Sequence, residues 1–127
     1  MAPTAVVVVN DDPTLQVQLE QRLVERDYAP IPQPGPAAAR TQLTAAQPAA
    51  VVVRLPSASA AQEQALLSHL QHDPTSRQLP VLLCSDRPAL LQSAVRALQP
   101  RPGVVLASTP DADELVAKLA ATEARHP

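Results

Sequence analysis

Four uninterrupted apolar runs of strand length punctuate this chain, and they restrict its fold more than any other feature. They are Ala5-Val6-Val7-Val8-Val9, Ala50-Val51-Val52-Val53, Val81-Leu82-Leu83-Cys84 and Val104-Val105-Leu106-Ala107. None alternates apolar with polar residues, so neither face of such a strand can meet water. Continuous apolar strands belong to a parallel sheet covered by helices on both sides. Helical spacing fills the intervals. Leu15, Leu19 and Leu23 recur every four residues behind Asp12-Pro13, a pair suited to an N-cap and the first helical position. Leu66, Leu67 and Leu70 mark another helix, and Leu90, Leu91, Ala94, Val95 and Leu98 a third. Leu115, Val116 and Leu119 follow Asp111-Ala112-Asp113-Glu114, which resembles a capping box, and a weaker alanine-rich helix is expected from Pro36 to Ala46.

The segment from Tyr28 to Pro34 fixes the strand order. Its prolines at 30, 32 and 34 are spaced by two, so in an extended strand their missing N–H groups all point the same way. Only an edge strand tolerates that, with the prolines on its open side. Strand and helix then alternate five times, with parallel pairing and right-handed crossovers. In the flavodoxin-like order 2-1-3-4-5 the second strand is an edge, whereas in a 3-2-1-4 order it would be interior. The expected architecture is therefore an α/β (βα)5 three-layer sandwich, one domain over residues 1–127.

Composition excludes several functions. Twelve acidic against ten basic residues leave a net charge of −2, which argues against a nucleic-acid-binding stripe or a polybasic membrane patch. With no Trp or Phe and only Tyr28 as an aromatic residue, the core must be aliphatic. One cysteine, Cys84, excludes an internal disulfide framework and a thiolate metal cluster. Two glycines are too few for a Gly-rich phosphate loop. No apolar run approaches the ~20 residues of a membrane span. Met1-Ala2-Pro3-Thr4 has no basic, apolar leader character, so a cytoplasmic protein is expected.

Function in such a sheet is built at the carboxyl ends of the strands, near the switch point between strands 1 and 3. There the sequence reads Asn10-Asp11-Asp12 after strand 1 and Arg54 after strand 3, then Ser85 after strand 4 and Ser108-Thr109-Pro110 after strand 5. With Val6-Val7-Val8-Val9-Asn10-Asp11-Asp12-Pro13, Pro48-Ala49-Ala50-Val51-Val52-Val53-Arg54-Leu55, Leu79-Pro80-Val81-Leu82-Leu83-Cys84-Ser85 and Thr109-Pro110, the whole chain resembles the receiver (CheY-like) domains of two-component response regulators.

The resemblance implies a fixed set of roles. In that family two acids after strand 1 help hold Mg²⁺, and an Asp after strand 3 accepts the phosphoryl group. A Ser/Thr after strand 4 binds that group, and a Lys before a Pro after strand 5 neutralises it. In this chain the acid pair is Asn10 and Asp11, the phosphoacceptor position is Arg54, the hydroxyl is kept as Ser85, and the Lys position is Thr109 before Pro110. A guanidinium stays charged and cannot form an acyl phosphate. With Asp11 the only carboxylate left of the expected metal set, Mg²⁺ binding is expected to be lost. The expectation is a degenerate pseudo-receiver with no enzymatic activity, in which Arg54 pairs with Asp11 and supplies the positive charge that the metal would bring.

Other residues read more plainly. Asp12 suits a helix cap, and Ser85 and Thr109 suit local backbone hydrogen bonds. Cys84 suits a small core residue, and His69 and His72, two without a third ligand, a solvated helix face. Leu106, not an aromatic, stands where receivers often place a switching side chain in strand 5. The family resemblance implies a protein partner from a signalling pathway, contacting strand 5 and its flanking helices around Val95, Leu98, Val105, Leu115 and Leu119. A homodimer could use the same face. Two other readings compete: a small-anion or nucleotide site at the switch point, held by Arg54 and helix N-termini, and phosphorylation at an unorthodox residue, Asp11, Asp12 or Ser57.

Overall fold

The computed structural model describes residues 4–55, 60–74, 76–98, 103–108 and 111–125. Five strands and five α-helices alternate along it. They are β1 (Thr4–Val9), α1 (Pro13–Glu25), β2 (Tyr28–Gln33), α2 (Pro36–Ala45), β3 (Ala50–Arg54), α3 (Ala60–His72), β4 (Val81–Cys84), α4 (Pro88–Leu98), β5 (Val104–Ala107) and α5 (Ala112–Arg125). A 3₁₀ turn, Ser76–Gln78, precedes β4. The strands pair in parallel in the order β2-β1-β3-β4-β5, as the sequence leads one to expect.

The apolar runs are explained by which way alternate residues point. Val6, Val8, Ala50, Val52, Leu82 and Cys84 pack with Leu15, Leu19, Leu23, Leu115, Val116 and Leu119 on the α1/α5 side. Val7, Val9, Val51, Val53, Val81 and Leu83 pack with Ala39, Leu43, Leu66, Leu67, Leu70, Leu91, Ala94 and Leu98 on the other side. Both faces of the central strands β1, β3 and β4 are therefore dry, and each fully buried Leu or Val contributes about 1.5–3 kcal/mol of hydrophobic transfer. Truncating one of the leucines to Ala would cost about 2–5 kcal/mol, because the cavity collapses only in part.

The helix starts follow their side chains. Asp12 sits in extended backbone and caps α1, its Oδ1 accepting from the amides of Thr14 (3.0 Å) and Leu15 (3.4 Å), with Pro13 as the first helical residue. Asp111 does the same for α5, its Oδ2 accepting from Glu114 N at 3.1 Å. Glu114 turns instead to Lys118, at 3.2 Å. Arg22 of α1 reaches Asp113 of α5 at 2.6 Å and so ties together the two helices that share a face of the sheet.

Part of the expected contact face is core. Leu98, Leu115 and Leu119 are each 1–2% exposed, packed beneath their helices against the sheet. Leu115 and Leu119 point inward because they lie on the same α5 stripe as Val116, which lines the α1/α5 layer; Leu98 follows Leu91 and Ala94 on α4. Val95 and Val105 stay partly exposed, and Leu106 adds an exposed side chain nearby. Among the described residues no helix is long and apolar enough to cross a membrane.

Candidate functional site

The carboxyl ends of β1, β3 and β4 converge because the strands are parallel and in register, with Val9 beside Val53 and Arg54 beside Cys84. Asn10 ends β1 as a buried, 7% exposed side chain that organises the loop rather than a ligand. Its Nδ2 donates to Asp12 O (3.0 Å) and Gln16 Oε1 (3.3 Å), and its Oδ1 accepts from Asp12 N at 3.2 Å. An Asp here could accept from Asp12 N but could not donate to the other two oxygens, so the amide suits this position. The loop holds Asp11 and Asp12 beside the end of β3.

Arg54 is the last residue of β3, and its Nη1 lies 3.9 Å from Asp11 Oδ1 and 3.8 Å from Asp12 Oδ2. The expected pairing with Asp11 is present, and Asp12 joins it. One carboxylate thus serves two purposes, since Asp12 Oδ1 caps α1 while Oδ2 faces the guanidinium. The signal for this second role is the consecutive acid pair beside a helix start, where a cap residue is turned back toward the strand ends.

Both distances exceed the 2.7–2.9 Å of a charge-assisted hydrogen bond, so the attraction is coulombic. The side chains are 28% (Arg54), 56% (Asp11) and 38% (Asp12) exposed. At this exposure an ion pair contributes at most about 1 kcal/mol, and breaking it strands no buried charge. The guanidinium matters for what the cleft can bind more than for how firmly the fold holds.

Mg²⁺ requires near-octahedral oxygen donors, usually more than one carboxylate. Here the two acids that could supply them face a fixed cation, and the donor set does not fit the ion. Among the described residues no cluster of three or more His, Cys, Asp or Glu could hold a metal. Ser85, 1% exposed, accepts at Oγ from Arg87 N (3.0 Å) and so holds the turn into α4. Cys84 is fully buried on the α1/α5 face, where loss of solvent pushes its thiol up to about 11 although Arg54 pulls the other way. Thr109 and Pro110 lie outside the described residues, as does Ser57.

No family model matches the chain, and none of the curated proteins does. Solved structures do. A response regulator from Chloroflexus aurantiacus superposes with a TM-score of 0.76 at 20% identity, covering 97% of this chain and 99% of that one. The chemotaxis response regulator CheY4 of Vibrio cholerae gives 0.76 at 11% identity over 94% of this chain and 98% of its own. The beryllofluoride-activated NtrC receiver domain gives 0.73 at 20% identity over 100% and 99%. The chain shares the receiver-domain fold of these response regulators.

Proposed function

We propose that this domain is a phosphorylation-independent receiver: a signalling module that keeps the receiver surface and acts by binding a protein partner, its cleft set by an internal cation. One observation carries the reading, namely Arg54 at the carboxyl end of β3 within 4 Å of both acids of the β1 loop. An acyl phosphate needs a carboxylate nucleophile, and a protonated guanidinium offers no lone pair for attack. The cation also stands where the acids would have to gather a dication. Neither half of the phosphotransfer chemistry has its residues.

A small-anion or nucleotide site at the same place has less support. Arg54 already faces two carboxylates, and the Thr14 and Leu15 amides at the start of α1 are bonded to Asp12. An incoming anion would meet negative charge before it met a free donor. For partner binding, Val95, Val105 and the exposed Leu106 remain available, whereas a charge placed at Leu98, Leu115 or Leu119 would test folding instead.

Incubation of the purified chain with acetyl phosphate and Mg²⁺, followed by intact-mass and peptide mass spectrometry, tests the reading. The expected result is an unmodified mass. A phosphoryl adduct on any residue, Asp11, Asp12 and Ser57 included, overturns it.

A further inference from the structure

The two edges of the sheet are unlike. Thr4 N donates to Asp27 O and Asn10 N to Gln33 O, which turns the odd-numbered residues of β2 toward β1. Pro30 and Pro32 therefore face the open side, where they provide no amide donor. At the opposite edge Val81 N donates to Gly103 O and Ser85 N to Ala107 O, so Gly103, Val105 and Ala107 face β4. By the same alternation Val104 and Leu106 direct both N–H and C=O outward. β5 holds no proline, and Leu106 is 41% exposed. An edge of this kind recruits another strand.

Lys118, the sole lysine of the chain, lies across that edge. Its Nζ donates to Leu106 O at 2.7 Å and pairs with Glu114 Oε1 at 3.2 Å. The ammonium occupies the place where the amide of a sixth strand would have to sit. Any strand approaching β5 must first displace a solvated charge from the carbonyl it needs.

We propose that Lys118 is a lock on the β5 edge, and that its release lets β5 pair antiparallel with β5 of a second copy. The second copy is favoured because the edges permit it and oppose the other self-association. β2 lacks the donors to accept β5 of a neighbour, which closes the head-to-tail route, whereas β5 is complementary to itself about a two-fold axis. In that pairing the Val104 N–H reaches Leu106 O of the other copy and the Leu106 N–H reaches its Val104 O, twice over by symmetry. Both Leu106 carbonyls are needed, and Lys118 now holds them. The inference does not depend on what the cleft binds.

Sedimentation equilibrium over a concentration series tests it with the wild type, Lys118→Arg, Lys118→Ala and Lys118→Ala combined with Leu106→Pro, each first checked for a native circular dichroism spectrum. The weight-average mass of Lys118→Ala should climb toward twice the 13.4 kDa chain mass at concentrations where the wild type and Lys118→Arg show no such rise. The proline should cancel the rise. Should the proline variant not fold, hydrogen exchange decides, because the Val104 and Leu106 amides of Lys118→Ala must gain protection as concentration increases. A Lys118→Ala mass curve matching the wild type overturns the proposal. So does association that survives the proline or leaves those two amides unprotected.

Discussion

Replacing Arg54 with Asp inverts the charge on which the chemistry of the cleft turns, and the structure sets the size of the effect. Arg54 Nη1 stands 3.9 Å and 3.8 Å from single oxygens of Asp11 and Asp12. Two unit charges at that range interact by about 1 kcal/mol in a water-like dielectric, the appropriate regime for side chains this exposed. Arg54→Asp removes two weak attractions and adds two weak repulsions, each of which solvent screening and side-chain entropy cut to about 0.2–0.5 kcal/mol. Without divalent ions the variant should be less stable by about 1–2 kcal/mol at low salt, a loss that shrinks as ionic strength rises. The same change gathers three carboxylates around one point, the oxygen-rich set that Mg²⁺ takes. Binding to the folded state alone then adds about 2.7 kcal/mol at a ligand concentration of 100 Kd. Thermal unfolding across a Mg²⁺ titration, with NaCl at matched ionic strength as control, reads this directly. Tm should rise with Mg²⁺ in Arg54→Asp and stay flat in the wild type. The reasoning is refuted if the wild type responds specifically to Mg²⁺, or if the variant shows no recovery beyond that given by NaCl.

Further consequences can be measured on the same protein. Asp12→Ala removes both a cap and an ion pair and should cost about 1–2 kcal/mol in urea unfolding, while Asp12→Asn keeps the cap and should cost about 0.5 kcal/mol or less; equal losses would mean that the cap is not the dominant role. For Cys84 the folded thiol titrates at about 11 against an ordinary 9.0, because burial disfavours the thiolate. Stability is therefore whole below pH 9 and falls as pH rises from 9 to 11, by about 2–3 kcal/mol at 1.36 kcal/mol per unit. Cys84→Ala should flatten that alkaline limb in denaturant unfolding, and an unchanged slope would count against the assignment.

The central strands were legible because β1, β3 and β4 are covered on both sides, so that their length had to be apolar; β5 reads the same in sequence, yet as an edge it leaves Leu106 exposed. Val81–Cys84 and Val104–Ala107 match the apolar runs at both ends, and β3 exceeds its run by Arg54 alone. Strand order was legible through Pro30 and Pro32, whose missing donors leave only an edge position. The Arg54–Asp11 pairing could be read from the residue types at the strand ends. That Asp12 shares it could not, since which way the second carboxylate oxygen points depends on the α1 cap geometry. Leu98, Leu115 and Leu119 show the other limit. A contact face named by element gives no rotation about the helix axis, and packing against β4 and β5 turned those leucines inward. The reach of Lys118 to Leu106 was illegible for the same reason: it joins residues twelve apart through a side chain whose direction only the packed α5 sets.

Tyr28 is the sole aromatic residue of the chain and is 8% exposed, packed at the start of β2 among the α1/α5 core residues. All near-ultraviolet absorption, circular dichroism and intrinsic emission from aromatic side chains in this domain thus come from one ring at the proline-bearing border of the sheet. The optical signal of an unlabelled sample is site-specific without engineering. It reports when that outermost strand docks during refolding, while the other side chains stay silent in the near ultraviolet.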